Sequence, residues 1–342
     1  MKGNRIMNIL ILGGTRFVGR VLAERLINKQ HEVTLFNRGI SNADIFSDVE
    51  TIIGDRNTDI QKLRNRSFDA VIDTCAYLPG QINCSASLLK NKVGKYVFIS
   101  SISVFAEPNK PATVEDSPKI QLQYAQDKLD SLTINDINGE NYGGLKYLCE
   151  QKLLEFYPDS HLIIRPGMII GPHDSTERFA RWLKPFINNQ DLLVPEPRNL
   201  PIQFIDVYDL ADFIISLLEN GKTGDYNVIG PQSETTFDDV FNTICRVIQS
   251  SSRVFWVNSE FLEKNGLAAD FYSNFPFFVE DKFRDQYTFN NEKSLNDGLK
   301  LSSVEEIIRR TVQWHINTND LKIKSGLEPE KEKALINSIQ YS

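Results

Sequence analysis

The first 165 residues alternate short apolar runs with longer stretches in which apolar residues recur every three or four positions. Short β-rich runs predict strands, and the 3.6-residue period predicts amphipathic helices. The predicted strands are Asn8–Leu12, Glu32–Phe36, Thr51–Ile53, Ala70–Asp73, Tyr96–Ser100 and Leu162–Arg165, and the predicted helices are Val18–Asn28, Ile82–Lys92 and Leu145–Tyr157. Regular alternation of the two indicates an α/β fold with a doubly wound parallel sheet.

The regular alternation ends after Arg165, where prolines at 166, 172, 185, 195, 197 and 201 interrupt the pattern. The elements still predicted there are strands Phe204–Val207, Asp225–Val228 and Val254–Val257 and helices Asp209–Glu219, Phe237–Gln249, Ser303–His315 and Pro329–Ile339. We expect residues 1–165 to form one domain, whose core receives further elements up to about residue 230. Residues 166–342 are expected to form mostly a smaller mixed α/β region, which supplies the substrate side, and a charged tail.

Composition narrows the functional classes. The chain has 342 residues, 41% of them hydrophobic, which is enough for a sizeable core. A formal net charge of −7 and a pI near 5.3 give no general attraction to nucleic acid or to an anionic membrane surface. The four cysteines show no CxxC spacing, so we expect reduced thiols and a cytoplasmic protein. No apolar stretch has the length of a secretion signal or a membrane span.

A glycine-rich loop follows the first predicted strand directly and opens the first helix. Its residues are Gly13, Gly14, Thr15, Arg16, Phe17, Val18 and Gly19. Backbone N–H groups in such a loop, together with a helix N-terminus, form a site for pyrophosphate, so the fold is expected to be of Rossmann type. Arg16 occupies the place of the middle glycine in the usual fingerprint. The loop therefore approaches the phosphates less closely but carries a positive charge beside them.

The end of the second predicted strand bears on the choice between the two nicotinamide dinucleotides. This strand ends in Asn37 and Arg38, where an NAD-selective site carries an acid for the ribose hydroxyls. An arginine suits a ribose phosphate instead, so NADP(H) is favoured and NAD(H) remains open. If Arg38 instead stacks on the adenine or faces water, it does not indicate which of the two coenzymes binds.

A serine-bearing strand end and a Tyr-x-x-x-Lys helix are the candidate catalytic elements. Ser100 and Ser101 end the fifth strand, and Tyr142 and Lys146 lie four residues apart at the start of a helix. Residues at this spacing share a helix face, so the ammonium can lower the pKa of the phenol and make it an acid or base near neutral pH. Alone, the pair is more typical of a solvated helix surface. After a phosphate loop and a serine-bearing strand, catalysis becomes the favoured interpretation.

Two glycines separate these candidate residues. Gly143 and Gly144 each cost a helix about 1 kcal/mol relative to alanine. Close approach of a cofactor is one reason for a helix to accept that cost.

These motifs resemble the extended short-chain dehydrogenases/reductases, in the NAD-dependent epimerase/dehydratase group. The resemblance extends from Gly13 through the segments 164–172 (IRPGMIIGP), 204–211 (FIDVYDLA) and 226–231 (YNVIGP). The loop at 13–19 with 37–39 is most similar to a reductase-like branch. Chloroplast stem-loop-binding proteins have a similar loop, so an RNA-associated protein, or a scaffold that binds the dinucleotide without chemistry, remains an alternative.

The resemblance implies roles for individual residues. Tyr142 is implied as the catalytic acid/base, Lys146 as the residue that binds the nicotinamide ribose and tunes the tyrosine, and Ser101 as the hydroxyl on the reacting oxygen. The further cofactor contacts expected are Asp55 at the adenine amine, Arg56, the loop of Thr74, Cys75 and Ala76, and Ser100, Pro166 and Met168. A homodimer through the helices Ile82–Lys92 and Leu145–Tyr157 is a further expectation at the level of the family.

Other chemistry is disfavoured. Sugar 4,6-dehydratases of this family carry an Asp-Glu pair where this chain has Ile102 and Ser103, so water elimination by that route is not expected. The histidines at 31, 161, 173 and 315 show no metal-ligand spacing, and no metal site is predicted.

Three residues are candidate substrate contacts: Tyr77, His173 and Arg178. Without a role in substrate binding, His173 would simply lie in a solvated loop. Arg178 would form a surface ion pair with Asp174. The leading hypothesis is an oxidoreductase or epimerase that acts on an alcohol or ketone of a small molecule, with a nucleotide sugar as one option. Sequence alone does not separate a reductase from an epimerase.

Overall fold

The computed structural model describes residues 5–107, 112–267, 274–278, 280–318 and 326–340. The strands are β1 (Asn8–Leu12), β2 (Glu32–Asn37), β3 (Glu50–Ile53), β4 (Phe68–Asp73), β5 (Val93–Ile99), β6 (His161–Pro166), β7 (Met168–Ile170), β8 (Leu192–Pro195), β9 (Phe204–Asp206), β10 (Gly224–Val228) and β11 (Val254–Val257). The α-helices are α1 (Phe17–Asn28), α2 (Pro79–Leu89), α3 (Gln126–Ser131), α4 (Tyr142–Leu154), α5 (Ala180–Ile187), α6 (Val207–Glu219), α7 (Phe237–Ile248), α8 (Ser259–Lys264), α9 (Glu292–Asn296), α10 (Val304–Thr318) and α11 (Pro329–Gln340).

Within the described residues, seven strands form a parallel sheet in the order β10-β6-β5-β4-β1-β2-β3. The chain starts at β1, proceeds outward to β3, then crosses to β4 and proceeds the other way. The strand order therefore reverses between β1 and β4, which is where open α/β sheets bind their ligands. This arrangement confirms the predicted doubly wound fold of Rossmann type.

The sheet is buried on both faces. Ile9 and Ile11 of β1 pack with α1 and α6, whereas Leu10 and Leu12 of the same strand pack with α2 and α4. Successive side chains of a strand point to opposite faces, so a fully apolar β1 is the pattern of a strand covered on both sides. Two helix layers thus enclose the sheet. They include α1 and α4, whose N-termini lie at the carboxyl edge of the strands.

Several helices begin and end away from the predicted positions. The helix predicted at Ile82–Lys92 is α2, which begins at Pro79 and ends at Leu89. Proline is suited to the first helical turn because it lacks the N–H that would stay unpaired there. At the other end Asn91 has a φ of +66°, a left-handed conformation that no helix continues through. The helix predicted at Leu145–Tyr157 is α4, which begins at Tyr142, so the candidate tyrosine lies at its first residue.

The region after β6 has a core of its own. Buried apolar residues of β8, α5, α7, α10 and α11 pack together around Trp182. The small sheets β11-β8 and β7-β9 belong to this region, and β10 returns to the central sheet. Short, proline-interrupted elements such as α5, which contains Pro185, carried too little periodicity to be predicted. No helix in the described part of the chain combines the length and apolar character needed to cross a bilayer.

Candidate functional site

The glycine-rich loop turns tightly between β1 and α1. Gly13 and Gly14 have φ values of +110° and +101°, and the Gly13 N–H donates to the carbonyl of Phe36 at 2.9 Å. A Cβ on Gly13 would lie 2.4 Å from the Thr74 hydroxyl oxygen, and one on Gly14 would lie 2.7 Å from a methyl of Leu35. A side chain at either position would therefore be unfavourable for two reasons: the positive φ and the short contact of its Cβ with a neighbouring residue.

The N-terminus of α1 faces the same loop. The cap residue Arg16 is extended and exposed, and the first turn contains Phe17, Val18 and Gly19 without an acidic residue or a side-chain cap. A Cβ on Gly19 would lie 2.7 Å from the backbone nitrogen of Gly14, so the helix lies directly on the loop. Uncapped amides beside positive-φ glycines form a concave site for an anion. These residues fit the pyrophosphate of a dinucleotide.

The loop after β2 borders this site. The Asn37 side-chain oxygen accepts a hydrogen bond from the Gly39 N–H at 2.8 Å, and Arg38 is exposed. Asn42 donates from its side chain to the carbonyl of Thr15 at 2.9 Å, which ties the two loops together. Arg38 is thus accessible to a ligand at the end of β2.

Arg56 forms a buried ion pair below the surface of the cleft. Its two terminal nitrogens donate to the two carboxylate oxygens of Asp73, each at 2.7 Å. Tyr96 donates to the same carboxylate at 2.8 Å. Burial alone would raise the Asp73 pKa, but the adjacent Arg56 charge holds it below its usual value. Asp55, the expected adenine contact, is half-buried and accepts hydrogen bonds from Asn57 at 2.8 Å.

The loop after β4 reaches under the glycine loop. Thr74 donates through its hydroxyl to the carbonyl of Leu12 at 2.9 Å, and the Cys75 thiol lies 3.4 Å from the same oxygen. The Cys75 N–H donates to Asp73 at 3.1 Å. Ala76 is buried. The ion pair below therefore fixes the backbone of a loop that lines the cleft.

Lys146 is buried at the centre of the site. Its ammonium donates to the carbonyl of Ala76 at 2.9 Å and to that of Ile99 at 2.7 Å, the residues that follow β4 and end β5. It also lies 4.3 Å from the ring centroid of Phe98 and 5.1 Å from that of Tyr77. Burial lowers the pKa of Lys146 to about 8, with nearby acidic groups opposing the shift. A cation bound to two carbonyls retains one further N–H for a ligand.

Tyr142 and Ser101, the other two candidate catalytic residues, lie on two different elements. Tyr142 is half-buried at the first residue of α4, with its ring centroid 6.4 Å from that of Tyr77. Ser101 caps a 3₁₀ turn at 102–104; its hydroxyl accepts from the Ser103 N–H at 3.1 Å and donates to the Ser103 hydroxyl at 3.0 Å. The structure thus places Tyr77, Tyr142 and Lys146 together, and Ser101 two residues beyond the carbonyl that binds Lys146.

The two glycines of α4 contact the protein itself. A Cβ on Gly143 would lie 1.9 Å from the carbonyl oxygen of Ser103, and one on Gly144 would lie 2.3 Å from the side chain of Leu122. A cofactor is therefore not needed to explain why this helix carries glycines. They let α4 pack directly on the turn that holds Ser101.

A second buried ion pair lies behind the site, and sequence analysis missed it. Glu150 of α4 binds Arg165 of β6, and Ser100 donates to Glu150 at 2.5 Å. The hydroxyl of Ser100, an expected cofactor contact, therefore has a partner inside the protein. The available signal was the spacing of Glu150, one turn beyond Lys146 on an otherwise buried face.

The remaining candidates lie after β6. Pro166 ends that strand, and Met168 of β7 is buried in the core of the C-terminal region. His173 is half-buried with its ring centroid 5.3 Å from that of Trp314, and burial, with the charge of Arg20, lowers its pKa.

The guanidinium of Arg178 lies over an aromatic ring. Its central carbon is 5.4 Å from the ring centroid of Phe277, and its Nε donates to the Thr176 hydroxyl at 3.1 Å. Among the described residues, no group of three or more His, Cys, Asp or Glu side chains is arranged to hold a metal ion.

Comparison with known proteins gives the family context. A family model described as the NAD dependent epimerase/dehydratase family matches residues 9–87 and 78–230. The chain is 28% identical over 252 residues to a chloroplast stem-loop binding protein of 41 kDa from Arabidopsis thaliana; the match covers 67% of this chain and 60% of that protein. It is 25% identical over 342 residues to a UDP-N-acetyl-alpha-D-glucosaminuronate decarboxylase from Bacillus cytotoxicus, covering 89% and 96%.

Solved structures of similar fold include sugar-nucleotide enzymes. The UDP-glucuronic acid 4-epimerase of Bacillus cereus in complex with NAD has a TM-score of 0.66 at 16% identity, covering 90% of this chain and 96% of that one. At this identity the likeness shows a shared fold.

Proposed function

Because this chain belongs to the NAD-dependent epimerase/dehydratase family of extended short-chain dehydrogenases/reductases, we propose that it epimerises or oxidises an alcohol centre of a nucleotide sugar with NAD as coenzyme. The observation that carries the proposal is the placement of Lys146. Its ammonium is buried against the carbonyls of Ala76 and Ile99, on the helix that begins at Tyr142. Burying a lysine is costly, and a site that needs a positive charge beside a phenol accounts for it.

The proposed chemistry divides between the coenzyme and the side chains. When bound, the nicotinamide accepts a hydrogen with its electron pair from the substrate carbon and can return both. Tyr142, as phenolate, takes the hydroxyl proton as that carbon is oxidised to a ketone, and gives it back on reduction. Lys146 stabilises the phenolate, and the Ser101 hydroxyl donates to the reacting oxygen. Reduction on the opposite face inverts the centre, whereas release of the ketone gives net oxidation.

We propose that the dinucleotide lies across the switch point between β1 and β4. The first-turn amides of α1 would bind its pyrophosphate, and Lys146 would donate its remaining N–H to the nicotinamide ribose. The preference for NADP(H) expected from Arg38 has no support among the comparisons, since the family description and the similar structure above both name NAD. We therefore propose NAD, with NADP as an outcome that Arg38 can decide.

The region after β6 is proposed to supply the substrate side. Its separate core of β8, β11, α5, α7, α10 and α11 is consistent with the division expected near residue 165. Tyr77 from the cofactor side and His173 and Arg178 from this region remain the proposed substrate contacts. Arg178 carries the charge that a nucleotide diphosphate needs.

Two further expectations remain predictions. The first is a homodimer through α2 and α4, which a measurement of the molar mass of the protein in solution would test. Leu129 and Leu132, from the segment before α4, already pack against Leu145 and Leu148 on part of that face. The RNA-associated alternative rests on the similarity to the chloroplast relative and is not favoured by the net charge of −7.

The proposal is tested by incubating the protein with NAD⁺ and one nucleotide sugar at a time. The sugars are UDP-glucose, UDP-N-acetylglucosamine and UDP-glucuronic acid. Proton NMR reports an epimer, and NADH absorbance reports net oxidation. Tyr142→Phe should lower turnover at least about 100-fold and leave NADH binding intact, because only the proton transfer is lost. Tyr147→Phe, on the same helix, is the matched control. Equal turnover in Tyr142→Phe, or salt-dependent RNA binding without turnover of any sugar, would contradict the proposal.

A further inference from the structure

A buried ion pair connects the candidate catalytic helix α4 to strand β6 of the central sheet. Glu150 and Arg165 are each 1% exposed. Arg165 donates from Nε to one carboxylate oxygen of Glu150 at 2.9 Å and from Nη2 to the other at 2.8 Å. This bidentate geometry fixes both the distance and the angle between α4 and β6, which a point charge would not do.

The pair is completed by groups from the neighbouring strands. Asp225 of β10 accepts from Arg165 at 2.6 Å, and Ser100 at the end of β5 donates to Glu150 at 2.5 Å. The remaining terminal nitrogen of Arg165 donates to the carbonyl of Glu115 at 3.0 Å. Each charge therefore has its partners, as burial at this depth requires.

Two hydrogen bonds one helical turn apart join α4 to the end of β5 and the residue that follows it. Lys146 donates to the carbonyl of Ile99, and Glu150 accepts from the hydroxyl of Ser100, the next residue along the chain. Ser101 follows directly. Glu150 is thus one of the contacts that hold α4, with Tyr142 and Lys146, against the segment that leads to Ser101.

We propose that Glu150, bound by Arg165, is a positioning residue that aligns Lys146 and Tyr142 with Ser101 and supplies a negative charge behind the Lys146 ammonium. The inference rests on the proposed function, in which those three side chains act on one substrate centre. A purely structural pair would stabilise the fold without affecting the chemistry.

The charge of Glu150 is one of several that act on Lys146. The other titratable groups near its ammonium are Cys149 on α4, Asp73 on β4, Arg56 after β3 and Tyr77 after β4. Burial lowers the Lys146 pKa to about 8, and Glu150 opposes this shift. Removal of the Glu150 charge should lower that pKa further, so Lys146 would lose its proton at a lower pH.

Two variants separate alignment from charge. Glu150→Gln keeps the shape but removes the charge, so we expect kcat to fall about 100-fold with little change in KM. We also expect the alkaline limb of the pH profile to move down by about 1 unit. Arg165→Lys retains the cation but loses the bidentate geometry, so kcat should fall while the alkaline limb stays in place.

A third buried ion pair, between Arg181 and Glu332, provides the matched control. Arg181, 2% exposed, donates to Glu332 at 2.7 Å in the core between α5 and α11, away from the candidate catalytic residues. Glu332→Gln removes the same kind of charge from a similar environment. It should lower Tm as Glu150→Gln does, and leave kcat and the alkaline limb unchanged.

The readouts distinguish this inference from the proposed function. The affinity for NADH, measured by its fluorescence between neutral and alkaline pH, reports the Lys146 charge without turnover. An alkaline limb that moves in Glu150→Gln and stays in Glu332→Gln supports the inference even if no sugar is turned over, which would contradict only the proposed function. If Glu150→Gln and Glu332→Gln both lower Tm and neither moves the limb, Glu150 is a structural residue and the inference is overturned.

Discussion

The ring of Tyr77 lies 6.4 Å from the ring of Tyr142, centroid to centroid, with the two planes inclined by 46°. The Lys146 ammonium is 5.1 Å from the Tyr77 ring centroid. Lys146 is 3% exposed, and the Tyr77 ring is one of the groups packed near its ammonium. We therefore expect Tyr77, a candidate substrate contact, to affect the solvation of Lys146 as well.

We predict that Tyr77→Ala reduces turnover about 10-fold and raises the Lys146 pKa. Loss of the ring admits water to an ammonium whose pKa of about 8 is due first to burial. The alkaline limb of turnover, or of NADH affinity, should move to higher pH. Tyr77→Phe keeps the ring and is the control, and an unchanged limb in Tyr77→Ala would show that the ring does not shield Lys146.

Gly143→Ala should destabilise the protein by about 3 kcal/mol, because its Cβ would meet the Ser103 carbonyl at 1.9 Å and the turn would have to move. Gly80→Ala in α2 is the matched control, since a Cβ there meets nothing within 4 Å. Gly80→Ala should raise the free energy of unfolding by about 0.5 kcal/mol. Chemical denaturation measures both, and equal stability of the two variants would disprove the proposed close packing.

The pH dependence of the wild-type protein follows from Lys146. Its folded-state pKa is lowered from 10.5 to about 8, so the ammonium is charged below this value and neutral above it. Turnover should therefore fall as pH rises through about 8. Lys146→Arg retains a charge throughout this range, so the variant should be slower but should lose the alkaline limb. If turnover of Lys146→Arg falls over the same pH range as that of the wild type, the alkaline limb is due to the titration of another group.

Substitution of Arg38 tests which dinucleotide is the coenzyme. The Arg38 side chain is exposed at the end of β2, where a ribose phosphate would lie. If NAD is the coenzyme, Arg38→Ala should change NADH affinity by less than about 3-fold, since a rim charge without a phosphate partner contributes little. Titration with NADH and NADPH measures both affinities. An NADPH affinity that exceeds that for NADH and falls at least about 10-fold in Arg38→Ala would instead establish NADP(H).

Much of the fold could be predicted because its signals are local. β1 and β11 were predicted with the bounds that they have, since each is a short apolar run next to polar or glycine residues. β7 and β8 were not predicted. Prolines at 166, 172, 195 and 197 interrupt the apolar pattern around and within these two strands.

The interior of the site depends on pairs that are distant in sequence. Arg56 was expected to contact the cofactor, yet both of its terminal nitrogens bind Asp73, 17 residues further on. Glu150 and Arg165 are 15 residues apart on different elements. The sequence does not show which of these residues pair, because the pairing depends on which strands become neighbours in the sheet. The spacing of Tyr142 and Lys146 was readable because it lies within one helix.

The bond from the Leu193 N–H to Glu332, at 2.9 Å, has a consequence for synthesis of the chain. β8 pairs with β11 along one side, and Glu332 occupies a backbone donor on the other. An open strand edge is a template for another chain. Glu332 is synthesised 139 residues after Leu193, so this edge lacks that partner in the meantime, and we expect self-association to be favoured in that interval.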